Sequence, residues 1–425
     1  MRATTLLNKL LDLPGIAVSG VSFPATDPNL LILDVTLRSR RLACPHCDYR
    51  TRARYDTRPV PSWWRHLDFG RYRVELRAGL CRLACPTHGV VVQAVPFARH
   101  AARFTRVFDD LAGYLVTKTD KTTICRFLRL DWDTIGRICQ RVSVDHLDAD
   151  RLDGLVEIGV DEISWRKHHK YLTLVTDHRR KKIVWGTAGR SADSLDAFFA
   201  ELGDQRTAGL ETVSTDMGPA YIKSVTTNAP QVTIAIDPFH AVKLVGEALD
   251  TERRRVWNEL RAVDPAAAKK FKGARWALQK NPNNLSDEQH STLRKLKRRG
   301  GDLWRAYTLK EAFRAVFAGD LDTTTVIELL DRWISKASRS RLPAFVKTAK
   351  TIRKHRDGIL TAIRTGINNG RVEALNTQVR LIIARARGFH TAEAALGLVM
   401  LTCGPITRTL PYEQPHHTAR PAPPG

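Results

Sequence analysis

The first hundred residues carry apolar positions with the period of β-strands. At their start, the segment LLNKLLDLPGIAV holds Lys9 and Asp12 within an apolar pattern that favours a short amphipathic helix over a signal peptide. We predict that residues 1–100 form a β-rich domain, with the adjacent Trp63 and Trp64 packed in its core. The segments that alternate, or that are rich in β-branched residues, are 30–39, 71–85 and 89–97.

The pattern changes to a helical period after residue 100. Three amphipathic helices are expected within 101–150, and Asp133 or Thr134 is placed to cap the third. The turn RLDW between the second and third helices is as short as a helix-turn-helix requires. Residues 101–150 are therefore predicted to form a helix-turn-helix domain. The helical segments are 104–116, 120–130 and 132–144.

The third of these helices has a polar face that could read bases. Arg137, Gln140 and Arg141 follow the spacing i, i+3, i+4, which places them on one side of the helix. Arginine and glutamine suit guanine and adenine edges in the major groove of DNA. An ordinary three-helix bundle with a solvated basic face is the alternative interpretation. The residues expected to face the helical core are Ile135, Ile138 and Cys139.

A mixed sheet is predicted after the three helices. From residue 154 the order is three strands, helix, strand, helix, strand, helix, which describes a mixed sheet with helical crossovers. Ser191 is placed to cap the first of these helices. We expect a core domain that is interrupted by a helical, Lys/Arg-rich insertion and followed by a Pro-rich disordered tail. The predicted bounds are 151–250 and 351–408 for the core, 251–350 for the insertion and 409–425 for the tail.

The composition indicates a protein that binds an extended polyanion. Lysine and arginine total 68 against 44 acidic residues, a net charge of +24, and arginine recurs along the whole chain. Apolar residues make up 43% of the chain, enough for a globular protein with several cores. No apolar stretch is long enough to span a membrane. We therefore expect a DNA-binding protein of the cytoplasm, associated with the nucleoid.

Two short cysteine motifs in the β-rich domain indicate a structural zinc site. CPHC supplies Cys44 and Cys47, and CPTH supplies Cys85 and His88, so two turns can offer four tetrahedral ligands. Cys81 is an alternative to Cys85 as a ligand. The chain has seven cysteines, an odd number that fits a reduced compartment better than a disulfide framework. Buried free thiols are the alternative interpretation; a zinc ribbon is the prediction.

Three acidic residues lie where a phosphodiester-cleaving site could form. Asp161 closes the apolar run LVEIGVDEIS, Asp216 ends the fourth predicted strand, and Glu373 begins a helix after NNG. In a mixed sheet the two aspartate strands can lie side by side, and Glu373 can approach from the flank. Mg²⁺ requires carboxylate oxygens, and two such ions can act on one phosphodiester. Each acid by itself would more often be a solvated or capping carboxylate.

The chain resembles the ISL3 family of insertion-sequence transposases over about residues 40–405. The blocks that carry the resemblance are GVDEIS, STDMGPAY, IDPFHAVKLVGEALD and NNGRVEALNTQVRLIIARARGF, preceded by CPHC and by LDWDTIGRI. The resemblance implies a DDE transposase with an RNase H-like catalytic domain. The family's three acids fall on Asp161, Asp216 and Glu373.

The same resemblance extends to residues around the acids. Asp237 and His240 match the family's DxFH block, and Asn376 matches its E-x-x-N, so we expect these three beside the metal ligands rather than on the metals. Ala374 stands where glycine is common in the family, and His88 stands where a second cysteine is common. Histidine is an ordinary zinc ligand, so zinc binding is still expected.

These patterns together predict a transposase that binds the inverted terminal repeats of its element. It would cleave double-stranded DNA with Mg²⁺, or Mn²⁺, and join the freed end to target DNA, acting as a homodimer or larger assembly. A zinc and helix-turn-helix regulator without catalytic activity is one alternative. An RNase H-like nuclease that cuts without joining is another, since both reactions use the same carboxylates.

Overall fold

The computed structural model describes residues 2–166, 170–271, 273–319, 321–367, 370–386 and 388–406. The chain divides into two compact units. One runs to Asp148 and takes in Ile406, and the other extends from Ala149 to Pro405. Each unit has buried hydrophobic residues of its own and is described by itself.

The N-terminal unit begins with a helix and nine strands. In chain order these are α1 (Ala3–Leu11), β1 (Ile16–Ser22), β2 (Leu30–Leu37), β3 (Leu42–Ala43), β4 (Arg50–Thr51), β5 (Asp56–Thr57), β6 (Ser62–Phe69), β7 (Tyr72–Ala78), β8 (Cys81–Cys85) and β9 (Gly89–Val92). The main sheet has the order β1-β2-β7-β6, and its core includes the fully buried Leu33, Val74 and Leu76. The amphipathic α1 packs on this core through Leu11, as its pattern predicts.

The two adjacent tryptophans of β6 do not share one environment. Trp64 is 5% exposed and meets the ring of Phe97 edge-on, with 5.0 Å between ring centroids. Trp63 is 41% exposed. The prediction that both pack in the core is therefore wrong for Trp63, because successive side chains of a strand point to opposite faces of the sheet.

Three helices complete the N-terminal unit: α2 (Arg106–Lys118), α3 (Lys121–Leu128) and α4 (Trp132–His146). Asp131 caps α4 by accepting a hydrogen bond from the Thr134 backbone N–H at 2.7 Å. The predicted cap at Asp133 or Thr134 is thus wrong by two or three residues. Ile135, Ile138 and Cys139 are buried, as predicted.

The helices are joined directly to the β-rich part. The backbone of Arg65 on β6 pairs with the segment that leads into α2, donating to Arg103 and accepting from Thr105. The ring Nδ1 of His66 lies 3.0 Å from Oγ1 of Thr105, which caps α2. Asp68 forms an ion pair with Arg129, the residue that ends α3. The predicted boundary at residue 100 therefore falls inside one compact unit.

Protonation of His66 at acidic pH is expected to destabilise this contact between β6 and the start of α2. Burial lowers the pKa of His66 to about 4, whereas an unfolded histidine has a pKa of about 6.5. Because the unfolded state binds the proton first, this contribution to stability is complete above about pH 6.5 and is lost as pH falls towards about 4. The loss should reach about 2 kcal/mol near pH 5.

The measurement is urea denaturation of wild type and of His66→Gln at neutral pH and near pH 5. The wild type should lose more unfolding free energy than the variant by about 2 kcal/mol. Equal losses in the two proteins would contradict the assignment to His66.

The second unit is built on a five-stranded sheet with helices between its later strands. Its elements are β10 (Glu157–Arg166), β11 (Lys170–Asp177), β12 (Lys182–Ala188), α5 (Ala192–Leu202), α6 (Asp204–Thr207), β13 (Thr212–Thr215), α7 (Pro219–Asn228) and β14 (Thr233–Ile236). The strand order is β12-β11-β10-β13-β14. β10 to β12 are antiparallel, whereas β10, β13 and β14 are parallel. Ser191 caps α5, as predicted.

A helical segment follows β14. It comprises α8 (Pro238–Val263), α9 (Pro265–Phe271), α10 (Ala274–Gln279), a 3₁₀ turn (Pro282–Asn284), α11 (Asp287–Arg299), α12 (Gly301–Ala315), α13 (Thr323–Ser338), α14 (Pro343–Lys354) and α15 (Arg356–Thr365). Its core includes the buried Phe313, Trp333 and Phe345. Gly358 lets α15 lie directly on β14, since a Cβ there would come within 2.6 Å of Ile236 Cγ1.

Two last helices return to the sheet: α16 (Gly370–Arg385) and α17 (Ala392–Cys403). α17 lies against β12, where Gly186 leaves room for Leu396; an added Cβ would meet Leu396 Cδ2 at 2.9 Å. The predicted disordered tail, 409–425, lies outside the described residues.

Candidate functional site

Three aspartates lie at the same level of the three parallel strands: Asp161 within β10, Asp216 directly after β13 and Asp237 directly after β14. The expectation that Asp161 ends its strand is wrong, because β10 continues to Arg166 through its antiparallel pairing with β11. Gly159 on β10 pairs with Ser214 on β13. Two residues further along, the same register places Asp161 beside Asp216. Thr215 pairs with Ile236 on β14, and the next step sets Asp216 beside Asp237. The expected neighbourhood of the first and fourth strands is confirmed by their parallel pairing.

Backbone N–H groups hold one oxygen of each aspartate. Asp161 Oδ1 accepts from the N–H of Glu162 at 2.7 Å, and Asp216 Oδ1 accepts from Gly218 at 2.8 Å. Asp237 caps α8 in the same way, accepting from Phe239 at 3.0 Å. These bonds satisfy part of each carboxylate and fix its orientation.

Helix α16 approaches the aspartates through Asn376. This side chain is 4% exposed, and its Nδ2 donates a hydrogen bond to Oδ2 of Asp161. Glu373 lies one helical turn earlier and is exposed. Residues three apart on a helix share a face, so Glu373 lies on the side of α16 that carries Asn376.

The electrostatics of this edge are those of crowded acids. Burial raises the pKa of Asp161, and Asp216 acts in the same direction. The N–H of Glu162, the His240 side chain and the Asn376 amide act against that rise. An ionised Asp161 is therefore costly here without a nearby cation.

Two charged residues near the aspartates were missed by the sequence reasoning. Burial raises the pKa of Glu162, and the charges of Asp216 and Asp161 add to the effect. Burial lowers the pKa of His355, and the positive charge of Lys354 lowers it further, whereas the negative charge of Asp216 raises it. The double acid VDE after an apolar run could have indicated Glu162, whereas His355 follows a helix distant in sequence and has no local signal.

The predicted pair Asp237 and His240 lies together at the start of α8. His240 Nε2 is 3.8 Å from Asp237 Oδ2, and Asp237 is 5% exposed. The charge of His240 acts on Asp161 as well. His240 therefore stands beside two of the three aspartates.

The four predicted zinc ligands of the N-terminal unit come together. The donor atoms of Cys44, Cys47, Cys85 and His88 all lie within 4.8 Å of one another. Cys47 Sγ to Cys85 Sγ is 3.7 Å, Cys85 Sγ to His88 Nδ1 is 3.6 Å, and Cys44 Sγ to His88 Nδ1 is 3.8 Å. A tetrahedral Zn²⁺ with bonds of about 2.0–2.3 Å separates its ligand atoms by about 3.5–3.8 Å. The group could therefore hold one zinc ion, and its donors suit zinc.

The rival ligand Cys81 has a different neighbour. Its Sγ lies 3.7 Å from Oγ1 of Thr57, on the strand paired with β8. Cys81 is thus outside the group of four donor atoms.

Zinc content should separate these two cysteines. Cys44→Ser removes one of the four predicted ligands, and we expect it to lose most of the bound zinc and to destabilise the N-terminal unit, since structural zinc contributes directly to folding. Cys81→Ser is the matched control and should keep its zinc. Elemental analysis of the purified proteins gives the result; equal zinc in wild type and Cys44→Ser would refute the ligand set.

The predicted base-reading residues of α4 differ in their surroundings. Arg137 is exposed, with its guanidinium 3.1 Å from Thr134 Oγ1, and Gln140 is half-buried. Arg141 instead donates to both oxygens of Asp109, with Nη2 to Oδ1 at 3.1 Å, and Asp109 is fully buried on α2. Arg141 thus has a partner inside the three-helix unit.

Comparison with known proteins agrees with this architecture. Residues 158–396 match the family model of ISL3-type DDE transposases, described as "Transposase". The chain belongs to the ISL3 family of transposases. Residues 93–143 match the helix-turn-helix domain of transposase family ISL3, which confirms the predicted helix-turn-helix. The resemblance of the sequence blocks to this family is confirmed as well.

Curated relatives of this ISL3 transposase carry matching names. The transposase for insertion sequence element IS1557 of Mycobacterium tuberculosis, from strains CDC 1551 and H37Rv, is 39% identical over 88% of each chain. The transposase for insertion sequence element IS1001 of Bordetella parapertussis is 28% identical over 91% of this chain and 95% of the relative. The protein is thus a DNA transposase with a DNA-binding helix-turn-helix. Among its described helices, none is both long enough and apolar enough to cross a membrane.

Proposed function

We propose that Asp161, Asp216 and Glu373 are the catalytic acids of this transposase. The observation that carries the proposal is the register of the parallel strands, which sets Asp161 of β10 beside Asp216 at the end of β13. Asn376 supports it, because its bond to Asp161 ties α16, the helix of Glu373, to the same edge. The family's three acids fall on these positions.

The proposed fold of the second unit is RNase H-like. Its sheet has three antiparallel strands followed by two parallel strands reached through helices, in the order third, second, first, fourth, fifth. The helical segment after β14 would then be an insertion that separates Asp216 from Glu373. For the N-terminal strands around Cys44 and Cys85 we propose a zinc ribbon.

The acids fit hard divalent cations, and we assign them to Mg²⁺, with Mn²⁺ as a substitute. Asp161 and Asp216 would hold the ions, and Glu373 would complete the second site. The partly buried Asp161, whose pKa is raised by burial, supports this assignment because a cation offsets the cost of its charge. When bound, two such ions activate the attacking oxygen of water or of a DNA 3′-hydroxyl and stabilise the leaving oxygen.

The surrounding residues would position the acids. Asn376 fixes one oxygen of Asp161 through its hydrogen bond. His240 lies beside Asp237 at the start of α8, where its imidazole would balance the charge of the acids or contact a DNA phosphate. These roles match the expectation that the three residues lie beside the metals.

Helix α4 would read the inverted terminal repeats of the element through Arg137 and Gln140. We now assign Arg141 to the stability of the helices, because its guanidinium bonds Asp109. The basic insertion would follow the phosphates of the element ends or of target DNA. Coordinated action on two ends favours a homodimer or larger assembly, located in the cytoplasm on the nucleoid.

The test gives the purified protein Mg²⁺ and double-stranded DNA carrying the ends of its element. Nicked and joined products that require Asp161 would support the proposal. Sequence-specific binding without cleavage in Mg²⁺ or Mn²⁺ would favour a regulator derived from a transposase. Cleavage with no joined product would favour a nuclease.

A further inference from the structure

A groove of about 560 Å³ lies within the N-terminal unit, beside the cysteine motif and the start of α2. Cys44 and Pro45 form part of one wall, β6 forms another, and the segment that leads into α2 forms the third. Ala101 in that segment has φ of +56°, a conformation that is strained for a residue with a side chain. The backbone of this wall is therefore strained at Ala101.

The exposed tryptophan of β6 lines this groove together with an arginine. The guanidinium of Arg103 lies over the Trp63 ring, 4.9 Å from its centroid. Both side chains are exposed. Such a pair presents a flat apolar surface with a fixed positive charge, a combination that suits sugar and phosphate.

The charge of the groove is of one sign. Arg58, Arg99, Arg103 and Arg106 line it with His100, and none of its described lining residues is acidic. Arg99 pairs with Asp110 and Asp145, and Arg106 also pairs with Asp145. Arg58 and Arg103 have hydroxyl and ring partners instead, Ser62 Oγ at 2.9 Å and Trp63, so neither charge is neutralised by these contacts.

The groove adjoins the helix that would read DNA. Arg106 lines the groove, and its Nη1 is 3.0 Å from Oδ2 of Asp145 on α4. Asp145 lies eight residues after Arg137 on the same helix, a distance of about 12 Å. A DNA duplex that contacts Arg137 and runs along α4 would therefore also reach the groove.

We propose that this groove is a second DNA-binding surface, which holds the phosphate backbone of duplex DNA beside the bases read by α4. Arg58 and Arg103 contact phosphates, and Trp63 packs against the adjoining sugar. The inference rests on the proposed role of α4 in DNA binding and adds affinity that does not depend on base sequence.

The test measures binding of the full-length chain to two labelled duplexes, one from the element end and one of arbitrary sequence, over a range of salt concentrations. The double variant Arg58→Gln/Arg103→Gln should lose about tenfold in affinity for both duplexes. The salt slope, which is the slope of the logarithm of the binding constant against the logarithm of the salt concentration, should fall in magnitude by about 2, since each phosphate contact contributes about 0.9. Trp63→Ala should weaken both complexes with an unchanged slope. Arg40→Gln/Arg52→Gln removes the same charge from exposed positions outside the groove and should leave both quantities unchanged.

A wild-type slope in the groove variant would overturn the proposal, and so would an equal loss in the control variant. The arginine pair decides the matter if Trp63→Ala unfolds, because both arginines are exposed. The catalytic proposal is tested separately. Groove variants should still cleave DNA at saturating protein, whereas an Asp161 variant should bind normally without cleaving.

Discussion

Replacing Asp161 with asparagine is expected to abolish both DNA cleavage and joining while leaving DNA binding intact. The substitution keeps the size of the side chain but removes the charge that would hold metal ions. Losing several kcal/mol of metal-dependent stabilisation corresponds to a rate loss of at least about a thousandfold, because each 1.4 kcal/mol or so is tenfold. The measurement is the rate of product formation on element-end DNA in Mg²⁺.

The control is Asp193→Asn, which neutralises an exposed acid of the same unit, in the first turn of α5. It should keep wild-type rates. Cleavage by Asp161→Asn at more than about a tenth of the wild-type rate would contradict the assignment. Loss of a group that holds catalytic metals should lower the rate by far more than about tenfold.

Metal-dependent stability gives a readout of the same site that does not require activity. Burial raises the pKa of Asp161, so its ionised form destabilises the metal-free fold at neutral pH. Mg²⁺ should stabilise wild type and have little effect on Asp161→Asn. An equal Mg²⁺ effect on both proteins would place the metal elsewhere.

Replacing Arg141 with methionine is expected to destabilise the N-terminal unit by about 3 kcal/mol, because it breaks a largely buried ion pair and leaves a buried carboxylate. Asp109 is fully buried, and burial raises its pKa even though Arg141 and Arg99 oppose the rise. Arg99 Nη1, at 3.4 Å, would be the remaining partner. Chemical denaturation of the variant gives the change in unfolding free energy.

Two matched variants separate this structural role from DNA reading. Arg137→Met, on the exposed side of the same helix, should change stability by no more than about 0.5 kcal/mol while weakening binding to the terminal repeat. Asp109→Leu combined with Arg141→Met removes both charges and should recover much of the lost stability. If Arg141→Met unfolds like wild type but loses specific binding, Arg141 reads DNA as first predicted.

Much of the fold was predictable because its patterns are local. The apolar runs of β10 to β14, the cap of α5 at Ser191 and the buried Ile135 and Ile138 follow from spacing along the chain alone. The clustering of the four zinc-ligand candidates was also predictable from the two cysteine motifs, since each turn supplies two ligands.

What could not be predicted depends on contacts between distant segments. The partner of Arg141 lies on another helix, so the spacing of α4 suggested a DNA-facing arginine where the fold has an ion pair. Trp63 and Trp64 are neighbours in sequence, and only the position of the strand within its sheet decides which of them is buried. The position of Glu162 and His355 near the acids was likewise not predicted, since it depends on the folded chain.

The helical segment between β14 and α16 begins and ends at a single strand. The chain leaves β14 at Pro238, and Gly358 on α15 brings it back against Ile236 of that strand. A loop whose two ends are anchored at one place can grow or shrink without moving its anchors, and the entropy of closing it rises only with the logarithm of its length. The positions of Asp161 on β10 and of Asp216 after β13 therefore do not depend on the size of this segment, which can change in length without moving the two aspartates.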